Sequence, residues 1–254
     1  MSGPTRLAEQ QFGPRAQAYV QSAVHASGAD LQQLAAIVGG LPTPRVLDVG
    51  CGGGHAAFAA AAHAGEVVAC DVSADMLQAV SAEAKRRGLA NLQTQHAPAE
   101  ALPFADASFD LVCTRFSAHH WQDVPQALRE MRRVLKGGGV AVLMDVISPG
   151  APLLDSFLQC IEMLRDPSHV RDYSVAEWSA FATQAGLLPG ELVTRKLSID
   201  FASWIERMRT TQAATAAIGE LQSRMDDSVR RHFAMDEDGN FQLDTMTLLA
   251  LAPG

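Results

Sequence analysis

The sequence predicts an α/β protein: a parallel sheet wrapped by helices, with a helical cap appended. Three observations predict it. Strand-like apolar runs alternate with helical stretches from residue 45 to residue 147, and such alternation needs the crossover connections of parallel strands. The run Val46-Leu47-Asp48-Val49 breaks into Gly50-Cys51-Gly52-Gly53-Gly54, a strand turning tightly into a helix, where backbone can approach a ligand closely. After Pro149 the alternation stops and helical stretches dominate.

Taken in order, residues 15–39 read as a helix with Leu31, Leu34, Ile37 and Val38 on one stripe, broken by Gly39-Gly40-Leu41-Pro42. The first strand is 45–49, followed by an alanine-rich helix at 55–64 and a second strand at 66–71 that ends in Asp71. Ser73 opens a helix that runs to Arg87 and stops at Gly88. A short third strand fits 92–96, residues 102–106 form a loop, and the fourth strand is 109–114. A helix over 123–135 is closed by Lys136-Gly137-Gly138-Gly139, and the fifth strand covers 140–147. Helices are expected at 152–165 and 175–185, a strand near 191–197, helical stretches through 200–233, and a final strand at 241–251 after Asp238-Gly239-Asn240.

Composition bounds the function. The chain has 254 residues, 48% of them apolar, which favours one domain: an N-terminal helical cap over 1–40, a ligand-binding core over 41–147, and lid helices with C-terminal strands over 148–254. A net charge of −8 without a long basic run argues against nucleic acid as a partner. There is no apolar run of membrane-spanning length and no signal-peptide pattern, so a cytoplasmic protein is expected. Cys51, Cys70, Cys113 and Cys160 are widely spaced, with no C-x-x-C pair, so no metal site is expected, and the thiols of Cys51, Cys70 and Cys113 read as packed in a reducing compartment.

The motifs point to a nucleotide-containing ligand. Asp71 lies 19 residues after Gly52, about the spacing at which a carboxylate meets a ribose hydroxyl in a nucleotide-binding βαβ unit. The segments VLDVGCGGGH (46–55), VVACDVSADML (67–77), AEALPFADASFDLV (99–112) and ALREMRRVLKGGGVAVLMDV (127–146) follow one another over about 40% of the chain. In that order they resemble the class I S-adenosylmethionine (SAM)-dependent methyltransferases, specifically the small-molecule type 11 branch. That resemblance implies a Rossmann-like fold of seven strands, mostly parallel with the last strand antiparallel. It also implies SAM as cofactor, a small-molecule methyl acceptor, and a monomer or homodimer. Downstream, AHHW (118–121) and FLQCIEMLRDPSHVRDYSVAEW (157–178) resemble a bacterial subgroup of the same enzymes.

Carried over by residue, the resemblance places Gly50 and Gly52, with Cys51 between them, beneath the methionine part of SAM. Asp48 would organise the turn and approach the ammonium, Asp71 would take the ribose diol, Val72 and Met76 would pack on adenine, and Arg115 would line the methionine end. Pro98 stands where family members commonly carry an adenine-binding aspartate, which leaves adenine to the main chain near Ala97 and Ala99. Tyr19, with His25, would close over the cofactor from the N-terminal helix.

For the chemistry, His120 and then His119 are the candidates, because they follow the fourth strand and imidazole titrates near neutrality. Arg165, His169 and Arg171 form a polar cluster suited to an acceptor, while Phe201 and Trp204 read first as core. Two alternatives remain. An NAD-dependent oxidoreductase would need a third motif glycine where His55 stands, and a SAM-binding protein without turnover would share every cofactor residue.

Overall fold

The computed structural model describes residues 27–254. Its sheet has seven strands in the order β3-β2-β1-β4-β5-β7-β6. These are β1 (Arg45–Val49), β2 (Glu66–Asp71), β3 (Leu92–His96), β4 (Phe109–Arg115), β5 (Leu135–Val146), β6 (Leu188–Ile199) and β7 (Phe241–Leu251). β1 to β5 pair in parallel, and β7, inserted between β5 and β6, is antiparallel to both. The chain builds outward from β1 to β3, then returns to the other side of β1 with β4. That reversal opens a crevice at the carboxyl ends of β1 and β4, where α/β sheets bind ligands.

β1 is central, so four of its five residues are buried and its sequence is a continuous apolar run interrupted by one acid, Asp48. Helices cover both faces. On one, α1 (Ala29–Gly39), α2 (His55–Ala61) and α3 (Ala74–Arg87) pack on Val46, Val67, Leu111 and Val142. On the other, α4 (Val124–Val134) and α6 (Val175–Gln184) pack on Leu47, Val112, Leu143 and Leu248 through Leu128, Met131 and Trp178. Each such side chain contributes roughly 1.5–3 kcal/mol when fully buried. Beyond the carboxyl end of the sheet, α5 (Pro152–Arg165), α7 (Phe201–Met208), α8 (Gln212–Arg224) and α9 (Asp227–His232) gather around Phe157, Trp204, Phe233 and Phe241 in a core of their own. This is the cap that the change of pattern after Pro149 predicts.

Four expected boundaries differ. The alanine-rich helix ends at Ala61, before the predicted residue 64. The glycines after Lys136 do not stop α4. The chain turns extended at Leu135, and the glycines bulge out of β5 between the pairs Phe109↔Leu135 and Leu111↔Val140. The strand expected near 191–197 extends to 188–199, because its partner β7 offers ladder bonds along nearly its whole length. The first helix, expected over 15–39, begins at Ala29 with extended Gly28 as its N-cap; residues 15–26, with Tyr19 and His25, lie outside the described residues. Among the described residues, no helix is long and apolar enough to cross a membrane.

Candidate active site

The site starts from the turn after β1. Gly50 and Gly52 both have positive φ, 68° and 47°, but for different reasons. A Cβ on Gly50 would lie 1.9 Å from Ser117 Oγ, so Gly50 admits the segment after β4. A Cβ on Gly52 would meet no atom of the described residues within 4 Å. Among these residues the space above Gly52 is open to a ligand, and a side chain there would intrude on it. Cys51 is buried between them and donates its N–H to the Cys70 carbonyl at 2.9 Å, tying the turn to β2.

Two acids hold this turn. Asp48 is fully buried, and its Oδ2 accepts the Ala57 N–H at 2.9 Å. It thereby caps α2 from the preceding strand, where Gly54, the N-cap residue, offers no side chain. Burial pushes the Asp48 carboxyl up to about 7, and nearby Asp71 adds to that, against the Ala57 hydrogen bond and Arg115. Asp71 at the end of β2 accepts the Gly52 N–H at 2.8 Å and the Ser73 N–H at 2.9 Å, one on each oxygen. Its carboxyl is also raised, by burial that outweighs these bonds. The Val72 N–H also reaches this carboxylate, which still leaves it lone-pair capacity for a further donor.

These residues border one cavity of about 430 Å³. Val72, Met76, Ala97 and Ala99 line the end near Asp71, and Pro98 is absent from the lining. Ala97 is held by its N–H to the Asp71 carbonyl at 3.1 Å. Arg115 lines the middle, its Nε–H donating to Asp30 at the start of α1. The residues within 27–254 that the sequence proposes for the cofactor thus all line this one cavity.

The far end belongs to the segment after β4 and to the cap. Phe116 takes φ of 50°, unusual for a bulky residue, and swings Ser117–His120 across the cavity mouth. His119 Nδ1–H donates to Asp145 Oδ1 at 2.7 Å. Asp145, at the end of β5 and 1% exposed, also accepts the Ala118 and Val146 N–H groups. Burial alone would lower the His119 pKa, but Asp145, helped by Asp172 and Glu162, raises it to about 9. His120 goes the other way. Burial and the neighbouring His119 lower it, and its Nδ1–H donates to the Ser168 carbonyl at 3.2 Å.

Of the proposed acceptor cluster, only Arg165 reaches the cavity. It stacks 4.7 Å from the Trp204 ring and pairs with Glu162 at 3.2 Å. His169 is buried beside the cavity, its Nε2–H donating to Gln159 Oε1 at 3.1 Å, and burial lowers it to about 2. Arg171 is taken by Asp155 at 2.9 Å. Trp204 is both core and wall: it packs edge-on to Phe241 and lines the cavity.

Sequence reasoning did not single out Asp145, Asp172 or Arg195. An acid at a strand's carboxyl end, the signal used for Asp71, would have flagged Asp145. His119, Asp145 and Asp172 each bring a potential metal-ligand atom within 4.8 Å of the others, a grouping invisible in their spacing. Asp172 Oδ2 is buried and finds no hydrogen-bond partner among the described residues. Burial, with Glu162 and Asp145 nearby, pushes its carboxyl well above the usual range, against the pull of His119 and Arg165.

Residues 47–143 match the family model described as a methyltransferase domain. The chain is 48% identical over 191 residues to the uncharacterized protein YafE of Escherichia coli K12, covering 75% of this chain and 92% of that one. It is 35% identical over 243 residues to the uncharacterized methyltransferase YcgJ of Bacillus subtilis 168, covering 96% of each. The crystal structure of YcgJ superposes with a TM-score of 0.85 over 89% of this chain and 98% of that one. A demethylmenaquinone methyltransferase of Geobacillus kaustophilus is 40% identical over 108 residues, 41% of this chain and 46% of its own length. A dehydrogenase reading of the glycine turn is thereby displaced. The chain belongs to the class I S-adenosylmethionine-dependent methyltransferases of the type 11 family.

Proposed function

We propose that the methyl acceptor is a small molecule received at the cap end of the cavity, and that His119 is the side chain that meets its nucleophile. One observation carries this: a single cavity joins the glycine turn and Asp71 to His119, Arg165 and Trp204. The relative named a demethylmenaquinone methyltransferase supports the small-molecule class and no more.

The residues present fit SAM, because the open space at Gly52 and the spare lone pairs of Asp71 are what a ribose-bearing ligand needs. Asp71 would accept the ribose diol. Val72, Met76, Ala97 and Ala99 would flank adenine. Gly50, Cys51 and Gly52 would run beneath the methionine chain, with Asp48 facing its ammonium and Arg115 beside it. When bound, SAM supplies a methyl group on a positively charged sulfur, open to in-line displacement. The protein's part is alignment and exclusion of water. Asp145 fixes the His119 ring by Nδ1, leaving Nε2 for the acceptor. With its pKa near 9, His119 is an imidazolium at neutral pH, suited to holding an acceptor in its ionised, nucleophilic form. His120, kept neutral, lacks that charge.

The test has two parts. Calorimetry with S-adenosylhomocysteine, the demethylated product, should show binding that Asp71→Ala weakens by roughly 1.5–3 kcal/mol, the scale of charged hydrogen bonds. Label from methyl-labelled SAM should then enter the dialysable metabolites of a cell extract. Label in protein or nucleic acid instead would overturn the small-molecule assignment.

A further inference from the structure

We propose that the acceptor is an amphipathic organic acid whose anionic group is held by Arg195 and whose apolar body lies along Leu197, Ile199, Trp204 and Leu243. This rests on the methyl-transfer reading above and adds the substrate class.

Arg195 lines the cavity from β6. Its Nη1–H donates to Thr247 Oγ1 at 2.9 Å and its Nη2–H to Gln33 Oε1 at 2.6 Å, both neutral acceptors. Three other cations lining the cavity are neutralised by carboxylates: Arg115 by Asp30, Arg165 by Glu162, Lys196 by Asp244. Among the described residues, no carboxylate forms an ion pair with Arg195. A guanidinium has five N–H donors in a planar fork suited to a carboxylate, and a half-buried one gains by acquiring an anion.

The sheet grades from this charge into an apolar strip. Arg195, Leu197 and Ile199 alternate along one face of β6, opposite Thr245, Leu243 and Phe241 of β7. Thr245 in turn pairs with Val146, the residue after Asp145. Arg195 therefore stands two strands out from the end of β5 that positions His119, roughly 10 Å at the usual strand spacing. Its backbone stands five strands from that of Asp71, roughly 24 Å, and its guanidinium meets Gln33, one turn of α1 from the Asp30 that holds Arg115, so Arg115 rather than Arg195 is the cation beside the methionine end. The anion belongs to the acceptor, at the end opposite its nucleophile.

The experiment compares octanoate, octanol and octylamine by calorimetry, with and without saturating S-adenosylhomocysteine, on the parent, Arg195→Met and Arg195→Lys. Octanoate should bind the parent at least tenfold more tightly than octanol, and octylamine least. Arg195→Met should bring octanoate and octanol together, Arg195→Lys should keep part of the preference, and S-adenosylhomocysteine affinity should stay unchanged in both, which also reports an intact fold. Octanoate binding no tighter than octanol, or a preference that survives Arg195→Met, overturns the proposal. So does a loss of S-adenosylhomocysteine affinity in Arg195→Met, which would assign Arg195 to the cofactor. If the parent fails to bind S-adenosylhomocysteine, the methyl-transfer reading fails, while the octanoate preference without it still decides the anion site.

Discussion

His119 owes its chemistry to one carboxylate. Burial of the ring opposes the imidazolium, and Asp145 reverses that, so the histidine titrates near 9 rather than near the ordinary 6.5. The sign for stability follows from linkage. A histidine whose pKa is raised on folding contributes its full stabilisation below about 6.5, and that contribution is lost as pH rises through about 9. Asp145→Asn should therefore move the His119 midpoint from about 9 toward 6.5, read by NMR titration of its ring protons. The variant's deficit in melting temperature should be largest below pH 6.5 and shrink toward pH 9. A midpoint that stays near 9 would show that Asp172 and Glu162 supply the shift instead. Two adjacent histidines were visible in the sequence as candidates. Which one is charged was not, because Asp145 lies 26 residues away and reaches only His119.

At the level of elements, the strand-turn-helix of β1 and α2 was legible almost to the residue. Its signals are local: a buried strand, glycines at positive φ, and an alanine-rich helix. The two glycines nevertheless do different work, and only packing distinguishes them. Gly52→Ala should cost about 1–2 kcal/mol in unfolding free energy, the strain of a left-handed alanine, yet leave the fold intact because none of the described residues meets its Cβ. It should abolish S-adenosylhomocysteine binding in the same preparation. Full binding by Gly52→Ala would mean that the free space above the turn is not the cofactor's. The glycines of residues 137–139 show the opposite case. Their sequence reads as a helix stop, but the demands of the β4 ladder on both sides turn them into a bulge.

Across the whole molecule, apolar packing separates sheet from cap. The two sheet faces form cores around β1, β4 and β5, while α5, α7, α8 and α9 form a third around Phe157, Trp204 and Phe233. The cavity lies where cap and sheet meet. Elements of this kind open more readily than a buried sheet, and a methyl donor must enter, be shielded from water and leave. Amide exchange should accordingly be slow in β1 and β4 with or without ligand, and faster in α5, α7 and α8 until S-adenosylhomocysteine binds. Equal protection of cap and sheet without ligand would contradict a cap that admits the cofactor.

The sequence by itself determined the parallel core, the glycine turn after β1, the acid at the end of β2 and the family. Each is written in periodicity, glycine placement or short spacing, and short-range geometry follows from local residue order. Tertiary structure alone decided the pairing of His119 with Asp145, the burial of Asp172, the withdrawal of His169 and Arg171 from the cavity, and the placing of Arg195 beside it. Those facts depend on side chains brought together from separate strands and helices, where burial and neighbouring charge set the chemistry. Neither quantity exists until the chain is folded.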